Sequence, residues 1–117
     1  MITLKETKEL IEVDNTNMPL YLMNFVDDFR YYKNLRMLED SFSFSNRKLD
    51  ALLASTAEYL CKENKMQTPN WIEDVPASDT PYFVSGVENL KAIALAESPL
   101  LFRIRKVFVL ANFLDRA

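Results

Sequence analysis

Residues 45–62 read SNRKLDALLASTAEYLCK, and this stretch decides the fold class. Leu49, Leu52, Leu53, Thr56 and Leu60 recur at the spacing of one helical face, while Arg47, Asp50 and Glu58 fall off it. Ser45 or Asn46 stands where a side-chain oxygen can cap the first turn. The expectation is an amphipathic helix to about Lys62, one face against a core and the charged side chains in water.

Working outward, the same period recurs upstream. Asn17 can cap a helix, Pro19 falls in its first turn, and Leu22, Phe25, Val26 and Phe29 follow, so a helix to about Lys33 is expected. Met18, Met23 and Met37 read as flexible gap-fillers in such a core. Leu35 and Leu38 either extend that helix or form a separate turn. Residues 41–45, SFSFS, alternate with period two but are too few for a sheet. Residues 2–12 mix charges with Ile2, Leu4, Leu10 and Ile11, the pattern of a short surface helix open to fraying.

Downstream the character changes. Pro69, Pro76, Pro81 and the sole glycine, Gly86, fall within residues 67–86 beside Trp71, Tyr82 and Phe83. Proline removes a backbone donor and fixes φ, so no regular element is expected there. Large aromatics still seek burial, so the segment reads as an ordered connector draped over the helices. Ser85 and Glu88 have capping-box spacing, which predicts a helix over 86–97. Its body, LKAIALA, is apolar on more than one side and predicts a central packed helix. Ser98 as cap and Pro99 in the first turn predict a short helix to about Arg105. Val107 to Leu110 read as extended, and Asn112 can cap a last turn with Phe113 and Leu114.

The whole is expected to be one mainly α domain over 1–117, a compact body of about four to five helices. It comprises amphipathic helices over 1–66, a proline-rich aromatic connector over 67–85 and a tail over 86–117. A chain of 117 residues, 49% hydrophobic and with fourteen aromatics, is long and apolar enough for a continuous core. A single glycine argues against the many tight turns of an all-β fold.

Chemistry is excluded more readily than assigned. There is no histidine, which removes the commonest general base and metal ligand and every nucleophile that relies on imidazole. Cys61 is the only cysteine, so no disulfide or thiol pair can form, and a buried inert thiol is expected. The pairs Asp27-Asp28, Glu39-Asp40 and Glu73-Asp74 are the candidates for carboxylate or magnesium chemistry. Helical neighbours diverge by about 100°, so solvated surface is the stronger reading. No phosphate-binding glycine loop or zinc motif is present. The expected protein is no enzyme and carries no cofactor or metal. The net charge is −3, with no apolar run of membrane-spanning length and no signal-peptide core near Met1. A reducing cytoplasm and no membrane attachment are the expectation.

Two features remain as candidate surfaces. Trp71, Tyr82 and Phe83 can act as interface anchors, although packing explains them as well. The tail from Ser98 carries Arg103, Arg105, Lys106 and Arg116 against Asp115, a local charge of +3. A helix-turn-helix over 86–105 contacting DNA, with residues 86–106 as the reading surface, is one use. The preceding residues 66–97 hold five acidic side chains against Lys91, so pairing within the protein or with an acidic partner is the stronger one.

Trp71-Ile72, Pro81-Tyr82-Phe83, Leu90 and residues 97–109, ESPLLFRIRKVFV, with Leu114 and Arg116, together resemble a family of small, uncharacterised bacterial proteins. The resemblance covers residues 70 to 117. It rests on the Glu-Ser-Pro, Phe-Arg-x-Arg and Phe-Val order. Where the pattern often follows its second arginine with asparagine or glycine, this chain has Arg105-Lys106. Members often lie beside a nucleotidyltransferase-like protein, which implies an antitoxin or accessory subunit binding that protein. Trp71, Tyr82, Phe83, Arg103, Arg105 and Lys106 are the expected partner contacts. A purely structural role for the group, with Phe102 as anchor and the arginines pinning the tail, explains the motif equally directly.

Overall fold

The structure, a computed structural model, describes residues 1–115. It is mainly helical, as the periodicity predicts. Its Cα radius of gyration of 13.2 Å is close to the ~13 Å of a compact chain of this length. Three long helices form the body: α1 (Leu4–Val13), α2 (Met18–Tyr32) and α3 (Arg47–Glu63). A 3-10 turn at Leu35–Leu38 joins α2 to the extended SFSFS segment. Single-turn α4 (Asn70–Glu73), strand β1 (Tyr82–Phe83), α5 (Lys91–Glu97), single-turn α6 (Leu100–Arg103) and strand β2 (Val107–Phe108) complete the chain.

Helix α3 is the axis of the fold, touching α1, α2, α4, α6 and β2. Asn46 caps it, its side chain accepting from the Leu49 amide at 3.2 Å. Every residue from Leu49 to Ala57 is buried. The predicted stripe is therefore right but too narrow. Ala51, Ala54 and Ala57 let neighbours close on the other sides, and Asp50, read as facing water, is 1% exposed. Lys8 of α1, 2% exposed, meets it: Nζ lies 2.7 Å from Asp50 Oδ1. This is an ion contact without hydrogen-bond alignment at that oxygen. The other Asp50 oxygen accepts from the Ser45 amide at 2.9 Å. Lys8 also donates to the Ser43 carbonyl and to Ser45 Oγ, and sits over the Phe42 ring.

That pair fixes α1, which is therefore no fraying surface helix. Leu4, Thr7, Lys8 and Ile11 are buried along one face. A capping box holds its start: Thr3 Oγ1 accepts from the Glu6 amide and Glu6 from the Thr3 amide, each at 3.1 Å. Helix α2 buries Leu22, Phe25, Val26 and Phe29 as expected, with Pro19 in its first turn; Asn17 precedes it but makes no capping bond. Met37 is in the core, and Met18 and Met23 pack against it.

The connector is more regular than its prolines suggest. Pro69 precedes the α4 turn, where its missing N–H costs nothing. Tyr82 and Phe83 pair in parallel with Val107 and Phe108. The predicted capping box at Ser85 and Glu88 does not form. Gly86 has φ +67°, incompatible with the first helical position, so a 3-10 turn over Glu88–Leu90 precedes a shorter α5. Nor is α5 a central packed helix: only Ala94 is buried, because α3, α4, α6 and β2 already close the core beside it. Ser98 does not cap α6, whose N-cap is Pro99.

Chain reversals normally assigned to glycine fall to lysine. Lys33, Lys65 and Lys106 have φ of 49°, 56° and 60°. After α3 the bonds Lys65 N to Lys62 O and Met66 N to Cys61 O, 3.2 and 2.8 Å, form a Schellman closure.

Candidate functional site

The three connector aromatics keep separate neighbours and build no common platform. Trp71 stands edge-on to Phe42 with centroids 5.1 Å apart, and its Nε1 donates to the Leu38 carbonyl at 2.8 Å. Adjacent strand residues point to opposite faces, which divides Tyr82 from Phe83. Tyr82 lies under Lys48 Nζ at 5.9 Å and lines a recess of about 380 Å³ with Ile11, Met18, Asn46 and Lys48. Burial pushes its phenol pKa up. Phe83 stacks on Phe108 at 5.1 Å, with Lys91 Nζ 5.4 Å from its ring.

The tail basic residues divide as well. Arg105 is 5% exposed. Its Nη1 meets Glu58 at 2.8 Å, Nη2 donates to the Ile72 carbonyl at 2.9 Å, and Nε donates to the Val75 carbonyl at 3.4 Å. It ties tail, connector and α3 together and presents nothing to a partner. Arg103 and Lys106 are exposed. Arg116 lies outside the described residues. The left-handed turn at Lys106 forms although the favoured asparagine or glycine is absent.

The remaining motif residues bond inside the domain. Ser98 Oγ accepts from the Val109 amide at 2.7 Å and lies 2.7 and 2.9 Å from the Ala94 and Val109 carbonyls, so one buried hydroxyl joins the end of α5 to the segment after β2. Phe102 is 1% exposed against Tyr59 and Phe113. Ser-Pro, Phe and the second arginine thus hold the tail on the body.

A helix-turn-helix over 86–105 is not formed: α5 has seven residues and α6 four, too few for a recognition helix to lie along a groove. Among the described residues, no three carboxylate or cysteine side chains gather where they could hold a metal ion, and no helix is long and apolar enough to cross a membrane. Cys61 is buried, and that burial raises its thiol pKa, which lowers the thiolate fraction.

What sequence reasoning passed over is the exposed apolar surface of the last third. Val87, Ile93, Leu95, Leu100 and Ile104 are 49, 44, 46, 71 and 57% exposed. The usable signal was the length of the LKAIALA segment between Gly86 and Pro99: a helix of two turns with apolar residues all round can bury only one side. Of these residues, Leu100 also lines an open groove of about 590 Å³ between α3 and α6, together with Tyr59, Lys62, Glu63, Pro99 and Leu101.

No family model matches the chain, and neither the curated proteins nor the solved structures contain a match to it. The functional reading therefore rests on the geometry and on the pattern of the tail.

Proposed function

We propose that the protein is a non-enzymatic protein-binding module, acting as the antitoxin or accessory subunit of a nucleotidyltransferase-like partner. The observation that carries this reading is the run of solvent-facing apolar side chains from Val87 to Ile104. Apolar side chains left in water at this density along one stretch of chain are costly, and a partner that covers them removes that cost. The tail pattern supports the partner class. The contact surface differs from the one read in the sequence: Arg105, Phe102 and Ser98 hold the tail in shape, while α5, Leu100, Arg103, Ile104 and Lys106 face outward.

Co-expression with the product of the neighbouring gene tests this. The expected result is a complex of fixed stoichiometry on size exclusion, and growth arrest when the neighbour is expressed alone. A protein that elutes by itself at monomer mass, beside a neighbour that is harmless without it, overturns the proposal.

A further inference from the structure

The two recesses differ in charge. The one beside Tyr82 carries Glu12 and Lys48 and so has both signs on its walls. In the groove between α3 and α6, the acidic groups are already engaged. Both Glu63 oxygens are held by Arg30, at 3.0 Å each. Glu58, one turn back on α3, is taken by the interior Arg105. Lys62 on the α3 wall is exposed, and so is Arg103, one turn beyond Leu100 on α6. Neither has a carboxylate within ion-pair distance among the described residues. A chain of net charge −3 thus has one uncompensated cation, Lys62, in the groove lining, and a second, Arg103, on the same short helix as the lining residue Leu100.

Leu100, the most exposed apolar side chain after Tyr31 and Val13, lines the groove, with Ile104 four residues on, on the same side of the α6 turn. A trough between two helices with apolar walls matches the mode in which an amphipathic helix lays its apolar face into a groove. Opposite charge around such a contact sets partner choice and speeds encounter.

We infer that the α3–α6 groove receives an acidic amphipathic helix of the partner protein, its apolar side chains seated between Tyr59 and Leu100 and its carboxylates on Lys62 and Arg103. The inference rests on the protein-binding reading above and adds where the partner docks and what chemistry it offers.

Two synthetic helical peptides with the same leucine stripe, one flanked by glutamate and one by lysine, serve as probes, followed by fluorescence anisotropy on the full chain. The acidic peptide is expected to bind about tenfold or more tightly than the basic one and to weaken as salt rises. Leu100→Glu is expected to cost about tenfold in that affinity, with the helical circular dichroism unchanged because the side chain packs against nothing essential. The double variant Lys62→Glu/Arg103→Glu is expected to invert the preference between the peptides.

Equal affinity for both peptides, no binding of the acidic one, or indifference to Leu100→Glu overturns the inference. So does a dimer in light scattering that Leu100→Glu dissolves, which makes a second copy the occupant. A neighbour-encoded partner that still co-purifies with Leu100→Glu, but is lost with Ile93→Glu/Leu95→Glu, overturns the groove while leaving the protein-binding reading standing.

Discussion

Helices α3 and α5 both draw their apolar residues largely from leucine and alanine, yet α3 buries eleven of its seventeen residues and α5 one of seven. Composition does not separate them. What separates them is what surrounds each. Helix α3 is enclosed by three helical elements and the tail, so even its aspartate must find an internal partner. Helix α5 packs chiefly on β2 and the 3-10 turn before it, and Ile93 and Leu95 stay in water. One hydrophobic helix holds the domain together; the other, on the proposed protein-binding reading, is left for a partner to cover.

The sharpest way to break the α3 side of this comparison is to unpair its buried charge. Lys8→Met leaves the Asp50 carboxyl without its ion partner in a site with almost no water and is expected to cost about 3 to 5 kcal/mol in urea unfolding. Adding Asp50→Leu removes the orphan carboxyl and is expected to restore most of that loss. A double variant as unstable as the single one would show that the pair is attractive well beyond its desolvation.

Next in size is the link from α3 to the tail. Arg105→Ala abandons Glu58 and the carbonyls of Ile72 and Val75, and about 3 kcal/mol is expected, at the lower end for a buried partner lost. Arg105→Lys keeps the charge but not the planar fork, so it is expected to recover only part of the loss. Equal stability of the lysine variant and the original would reduce Arg105 to a simple counter-ion. The opposite sign is expected at Lys106, where φ is 60° and the side chain is exposed. Lys106→Gly relieves left-handed strain and is expected to raise stability by about 0.5 to 1 kcal/mol. No gain would mean that the lysine stem makes contacts that offset the strain.

These sites also mark where the sequence was legible. The leucine stripe of α3, the α2 period, the extended Val107 segment and the inward role of Phe102 follow from spacing, because burial on one face imposes a period. Lys8 and Asp50 break that logic. Lys8 sits between Leu4 and Ile11 at helical spacing, and Asp50 three residues before Leu53, so both lie on apolar faces; only their charge argued for solvent. Each becomes interpretable when the other is known, and they are 42 positions apart in the chain. The two capping-box spacings part for a local reason: Thr3 to Glu6, which the sequence reading did not use, forms its box, and the expected one at Ser85 and Glu88 does not. Thr3 to Glu6 has no obstacle in its first turn, whereas Ser85 to Glu88 contains Gly86 at positive φ. Of the candidate contacts, Arg103 and Lys106 face solvent and Arg105 does not, since an alternation of two residues in a single turn cannot say which side meets the core.

The smallest expected effect bears most directly on function. Ile93→Gln and Leu95→Gln alter side chains that are 44 and 46% exposed on a helix with one buried residue. Surface replacements away from caps and cores change stability by about 0.5 kcal/mol or less, so urea midpoints of both variants should stay close to the original. The equivalent replacements in α3, Leu52→Gln or Leu53→Gln, put an amide into a fully buried site and are expected to cost several times more. If the α5 variants prove as damaging as those in α3, then α5 belongs to the core in solution and the comparison collapses. If they are silent in unfolding but abolish assembly with the partner, the hydrophobic character of α5 has its explanation in the complex: those side chains are retained against the cost of exposure because their burial takes place in another molecule's presence.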